Sequence, residues 1–165
     1  MPEVFEPNQL LRQISRDDLP FLKEMVYFAT NQDLHETDAG IVLSRLNARW
    51  IEDYIEDWGK PGDFGLIAKG TGNNDVGAAW YRRNYRSEIP HNVMSIAVKP
   101  EARGRGIGKL LMTNLLISAK NEGLEEMQVK VGRSNENAKK LLKSVSFSVF
   151  DYSGGHFFMA TCTRN

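Results

Sequence analysis

The sequence predicts one α/β (α+β) domain of about seven strands and about four helices, and three observations carry that expectation. Short β-rich apolar runs are interleaved with stretches whose apolar residues recur every three or four positions. Glycine, asparagine and proline punctuate the junctions between them. At 165 residues, with no internal repeat, linker or low-complexity tract, residues 1–165 fit a single domain large enough to bury a real core.

Residues 1–8, with two prolines and two glutamates, read as a loose N-terminal arm. Leu10 to Ile14 is a first short strand. Ser15-Arg16-Asp17-Asp18 then supplies N-cap chemistry for a helix from about Asp18 to Thr30. Leu22, Met25, Val26 and Ala29 form its apolar side, and Pro20 falls in the first turn, where its missing N–H is no loss. Residues 31–42 are polar and lack a clear period. From Leu43, the apolar series Leu43, Leu46, Trp50, Tyr54 and Trp58 predicts a second helix that stops at Gly59-Lys60-Pro61-Gly62. Such a stripe reads first as core, and second as a wall of an acceptor pocket through Trp50, Tyr54 or Trp58.

Strands at Phe64–Lys69 and Val76–Arg83 flank the turn formers of Gly70–Asp75 and read as a hairpin. A polar loop with Arg86, Glu88 and His91 leads into the apolar strand Val93–Val98, which Pro100 ends because proline has no ladder donor. The next helix carries Leu111, Leu115, Leu116 and Ala119, with Gly123 at its C-terminal cap. A strand follows at Met127, Val129 and Val131, then a short helix from Asn135 to about Val145. Phe147–Tyr152 and His156–Thr163, around Ser153-Gly154-Gly155, make a second hairpin.

The stretch from Val93 to Gly123 organises the rest, because strand, glycine-rich turn and helix follow one another directly. Its glycines stand at a helix N-terminus, where the first amides lack intrahelical partners and the macrodipole favours an anion. Lys99, Arg103, Arg105 and Lys109 add local positive charge to a chain in which 21 Lys and Arg balance 21 Asp and Glu. That contrast points to a small polyanion held at one place rather than to a basic face for nucleic acid. A dinucleotide G-x-G-x-x-G fails at Lys109, and a P-loop fails at Arg103 and at Leu110.

The single cysteine, Cys162, forms no internal disulfide and suits a reducing cytoplasm, which is the expected location. No apolar run approaches membrane-spanning length, and the first residues lack the pattern of a signal peptide. No His/Cys/Asp/Glu set has metal-ligand spacing, so no metal is expected. Neither nucleic acid nor membrane is expected as a partner.

The pattern [RQ]-x-x-G-x-[GA], present as Arg103, Gly106 and Gly108, is preceded by Ile96-Ala97-Val98-Lys99-Pro100 and followed by Leu110-Leu111. In that setting it resembles the acyl-CoA loop of the GNAT family of N-acetyltransferases. Gly62-Asp63 and Gly77-Ala78-Ala79-Trp80 resemble signatures of one subgroup. The resemblance implies the GNAT fold: a mixed, mostly antiparallel twisted sheet with helices on both faces and a splayed central strand pair. It also implies acetyl-CoA, or coenzyme A, as cosubstrate. Backbone of Ile96, Ala97 and Val98 would pair with the pantetheine arm, and amides of Gly104, Arg105, Gly106, Ile107, Gly108 and Lys109 would hold the pyrophosphate. Arg103 or Lys109 would meet the ribose phosphate. Asn135 matches an asparagine that contacts the cofactor, and it reads equally as a plain N-cap.

Two family positions carry inert side chains. Leu142 stands where many members have a tyrosine that protonates the departing thiolate, and Val93 stands where related sequences have a glutamate; Ser146-Phe147 replaces the usual Gly-Phe. Glu88 and His91 are therefore the nearest candidates for the base that frees the amine, Tyr152 or Tyr85 for an acid, and Trp50, Tyr54 and Trp80 for acceptor binding. The function expected is acetyl transfer from acetyl-CoA to a primary amine, on a small molecule or a peptide, by direct attack. The alternative is an acetyl-CoA-binding sensor module with little or no turnover. The identity of the amine is left open, and so is the choice between monomer and homodimer.

Overall fold

The computed structural model describes residues 10–30, 55, 57–83, 91–133 and 135–162. Among the described residues, seven strands form one sheet in the order β1-β2-β3-β4-β5-β7-β6. They are β1 (Leu11–Gln13), β2 (Phe64–Lys69), β3 (Asp75–Arg83), β4 (His91–Val98), β5 (Glu126–Gly132), β6 (Ser148–Ser153) and β7 (His156–Cys162). All neighbours are antiparallel except β4 and β5, which run parallel. Three α-helices lie among the described residues: α1 (Leu19–Thr30), α2 (Ile107–Asn121) and α3 (Glu136–Ser144). The expected helix from Leu43, with Trp50 and Tyr54, lies outside the described residues, as do residues 1–8, Tyr85, Arg86 and Glu88. At that helix's expected end, Ile55 and Trp58 are buried.

Local chemistry sets the ends of these elements. Ser15 and Asp18 form a reciprocal capping box on a single 3-10 turn, Arg16–Asp18, that feeds α1, so α1 begins one residue later than expected. The α2 helix closes with Gly123 at φ +78°, its N–H bonded to the Lys120 carbonyl while Leu124 N–H reaches the Ala119 carbonyl. This pair of bonds satisfies the last carbonyls of the helix. The α3 helix ends with the same two bonds, from Ser146 to Lys143 and from Phe147 to Leu142, but the left-handed residue is Ser146 at φ +73°.

Each face of the sheet buries its own apolar cluster. On one face Leu22, Met25 and Val26 of α1 pack with Ile55, Trp58, Ile67, Ala78, Trp80 and Ala97. On the other, Leu111, Met112, Leu115 and Ala119 of α2 join Ala138 and Leu142 of α3 over Ala79, Ile96, Met127, Val129 and Met159. The strand alternation therefore divides β4: Ile96 faces α2 and α3, while Ala97 faces α1. Helices on both faces and one parallel pair at the centre place β4 and the turn after it at the middle of the molecule.

Candidate active site

The β4 strand pairs with β3 along its length, from His91 opposite Arg83 to Val98 opposite Gly77. Its pairing with β5 is confined to Asn92↔Gln128 and Val93↔Val129. Both strands run on beyond that point, β4 to Val98 and β5 to Gly132, so they part into a gap. A bulge stands where the gap opens: Tyr81 lies opposite Val93 and Trp80 opposite Ser95, leaving Met94 without a partner on β3. Extra residues of this kind bend a strand and re-aim its groups, and they recur beside active sites.

The turn that follows β4 is open in the way an anion site needs. Gly104 and Gly106 take φ +79° and +81°, which other residues adopt only with strain, and a Cβ added at either would meet nothing within 4 Å. No side chain caps the N-terminus of α2, so its first amides remain available. Gly108 is different: its Cβ would stand 3.0 Å from Leu141 Cδ2, so this glycine lets α2 and α3 approach. Arg103 donates from Nε to the Val98 carbonyl at 2.9 Å, which ties the turn to the last residue of the strand. Burial lowers the Arg103 pKa, against an opposing pull from Glu101. Arg105 and Lys109 are exposed beside the glycines. Bare amides, cleared glycines and two exposed cations fit a diphosphate, and the parted strand edges fit the amide-bearing arm attached to it.

Other expected site residues take varied places. Asn135 caps α3, its Oδ1 accepting the Ala138 N–H at 3.1 Å. Trp80 is fully buried in the α1-side core and presents no surface to an acceptor. Leu142 is a fully buried core residue of α3. Tyr152 is not brought to β4. It lies on the outermost strand, its ring 5.0 Å from that of Phe157. That is three strand spacings from β4, about 14 Å. His91 opens β4 opposite Arg83.

Two groupings escaped the sequence reading. Asp63 receives both Nε and Nη2 of Arg82 at 2.9 Å, with side chains 3% and 10% exposed, and the Arg82 guanidinium lies 5.6 Å from the Trp58 ring centroid. Gly-Asp and Arg82 are adjacent in no pattern, so only pairing of the strands reveals them. Ser95 is 5% exposed, and its hydroxyl has no hydrogen-bond partner among the described residues. A polar residue inside the apolar run of β4 was the available signal. Clefts of ≈ 380 Å³, between α2, the end of α3 and the end of β7 at Cys162, and ≈ 350 Å³, between α2 and β1–β2, are lined by no residue of β4. Among the described residues no cluster of three or more His, Cys, Asp or Glu is placed to hold a metal, and no helix is long and apolar enough to cross a membrane.

A strand, a glycine-cleared turn and a helix set beside a parted parallel pair define an acyl-CoA-type fold. The chain belongs to the acetyltransferase (GNAT) family, whose model matches residues 27–147. A comparison with curated protein sequences returns no match. Among solved structures, the chain is similar to PaiA N-acetyltransferase from Thermoplasma acidophilum in complex with coenzyme A, at 18% identity and a TM-score of 0.70, covering 92% of this chain and 97% of that one. It is similar to ribosomal-protein-alanine N-acetyltransferase from Brucella melitensis, at 23% identity and a TM-score of 0.65, covering 93% and 99%. A phosphinothricin acetyltransferase from Sinorhizobium meliloti in complex with acetyl-CoA aligns at 21% identity and a TM-score of 0.63, covering 92% and 86%. At these identities the likeness is one of fold.

Proposed function

We propose that the protein transfers an acetyl group from acetyl-CoA to a primary amine by direct attack of the amine. The observation that carries this reading is the parting of β4 from β5 after Val93, immediately before the open turn at Gly104 and Gly106. Ile96, Ala97 and Val98 would offer main-chain groups to the pantetheine arm, and the amides from Gly104 to Lys109 would hold the pyrophosphate. Bound there, acetyl-CoA supplies a thioester whose carbonyl a main-chain N–H polarises. Asn135 would meet the same ligand through its side-chain amide while its oxygen caps α3.

The amine must lose a proton before it attacks, since an alkylammonium with a pKa of about 10.4 is largely protonated at neutral pH. Glu88 and His91, at the entry to β4, are the residues proposed for that task. No acid is assigned. A thiol with a pKa of about 8.5 leaves acceptably as its anion. Relatives in fold that act on a ribosomal-protein alanine or on phosphinothricin by their names support an amine on a peptide or a small molecule as the acceptor class.

A second reading has its own observation: Leu142 is fully buried and supplies no hydroxyl at the family's acid position. On that reading the chain binds acetyl-CoA as a sensor with little turnover. Incubation with acetyl-CoA and spermidine, L-lysine, an aminoglycoside or a hexapeptide with a free N-terminal alanine, followed by thiol release, separates the two. Turnover with any of them removes the sensor. A thermal shift with acetyl-CoA but silence across the panel removes the transferase, and no shift at all removes both.

A further inference from the structure

Ser95 is a hydroxyl in the wrong surroundings for a structural role. Along β4 it shares a face with Ala97, and it stands opposite Trp80, both members of the α1-side core. It is 5% exposed and has no hydrogen-bond partner among the described residues, although a buried hydroxyl is ordinarily bonded. It also follows directly on the Met94 bulge and comes two residues after Val93, the last residue of β4 bonded to β5. The orphan hydroxyl therefore sits at the mouth of the gap. It is on the face away from α2, the helix whose N-terminus carries the open turn.

We propose that the Ser95 Oγ receives an N–H of the acceptor amine and so holds the nitrogen lone pair toward the thioester carbon. This rests on the transfer reading above. The C–N bond forms as the C–S bond breaks, its electron pair leaves on sulfur, and the proton shed by nitrogen ends on the thiolate. The products are an amide and a free thiol. Serine serves as a neutral acceptor here, satisfied by the incoming amine and unsatisfied without it.

The test uses Ser95→Ala and Ser95→Cys, the latter close in size but a weak acceptor, with the panel amine that the wild type turns over fastest. Removing an unpartnered hydroxyl should raise the melting temperature of the unliganded Ser95→Ala protein by about 2–4 °C. The shift induced by acetyl-CoA and the KM for acetyl-CoA should stay at wild-type values. For the amine, kcat/KM should fall about three- to tenfold in both variants. Wild-type amine kinetics in Ser95→Ala, or a lower melting temperature for the unliganded variant, overturns the role of Ser95 and leaves the transfer reading standing. A wild-type protein silent toward the whole panel overturns the transfer reading and the role of Ser95 together.

Discussion

On its outer edge β5 is bonded to β7 from Glu126 to Gly132, and β4 is bonded on its outer edge to β3 from His91 to Val98. The edges that face one another meet only through Asn92 and Val93. Both strands thus stay paired to their outer neighbours while parting from each other, so the gap is a feature of the sheet and not a frayed end. Main-chain groups inside a sheet are costly to leave unpaired. A slot edged with such groups is prepared for an extended ligand that brings its own amides.

The β1–β4 half is also the more firmly locked. Asp63 and Arg82 fasten the chain before β2 to β3, while Arg12 on β1 bonds both Asp18 and Asp75. The β6–β7 half ends in a strand exposed throughout, with Val149, Phe150 and Tyr152 in solvent. These locks tie β1, the turn before α1 and the chain before β2 to β3, the strand on which β4 is paired.

The largest expected effect comes from breaking a lock. Asp63→Ala would remove the buried carboxylate that receives Nε and Nη2 of Arg82 and should lower stability by about 3–5 kcal/mol in urea unfolding. Gly106→Glu acts on the open side of the comparison instead. Acetyl-CoA at 100 times its Kd should stabilise the wild type by about 2.7 kcal/mol, a shift of about 5–10 °C, and the substitution should abolish that shift. If the variant keeps it, the turn does not hold the diphosphate.

The second lock reports through pH. The Arg12 hydrogen bond holds the Asp18 pKa below its ordinary value, with bonds from Ser15 acting in the same direction. A depressed folded pKa contributes stability above the unfolded value of about 3.9, and that contribution is lost as pH falls through the folded one. Melting temperature should therefore drop steeply in the acid range, and Asp18→Asn should flatten the slope while costing about 1–2 kcal/mol at pH 7. The smallest effect is a gain: Ser146→Gly relieves a left-handed serine and should stabilise by about 0.5–1 kcal/mol, read as an upward shift in the urea midpoint. Ser146 lies away from the seam, so acetyl-CoA binding should not change.

Much of this was readable from short stretches. The strand to Val98, the stop at Pro100, the glycine-cleared turn before α2 and the caps at Ser15, Asn135 and Gly123 each follow from residues within a few positions of one another. Interactions of that range are written in order along the chain, so spacing reveals them. Gly108 marks the edge of this legibility. Its place in the motif was plain, but its use as a contact surface for Leu141 depends on a second helix arriving from more than thirty residues away.

Residue spacing therefore determined the elements, the turn chemistry and the family resemblance that named the donor. The three-dimensional fold decided where β4 leaves β5, that Met94 bulges, that Arg82 finds Asp63, and that Tyr152 stands on the outermost strand while Ser95 stands at the seam. The physical reason is that register, twist and pairing between distant strands arise from packing of the whole sheet between its helices, and no local pattern encodes which edge will be left open.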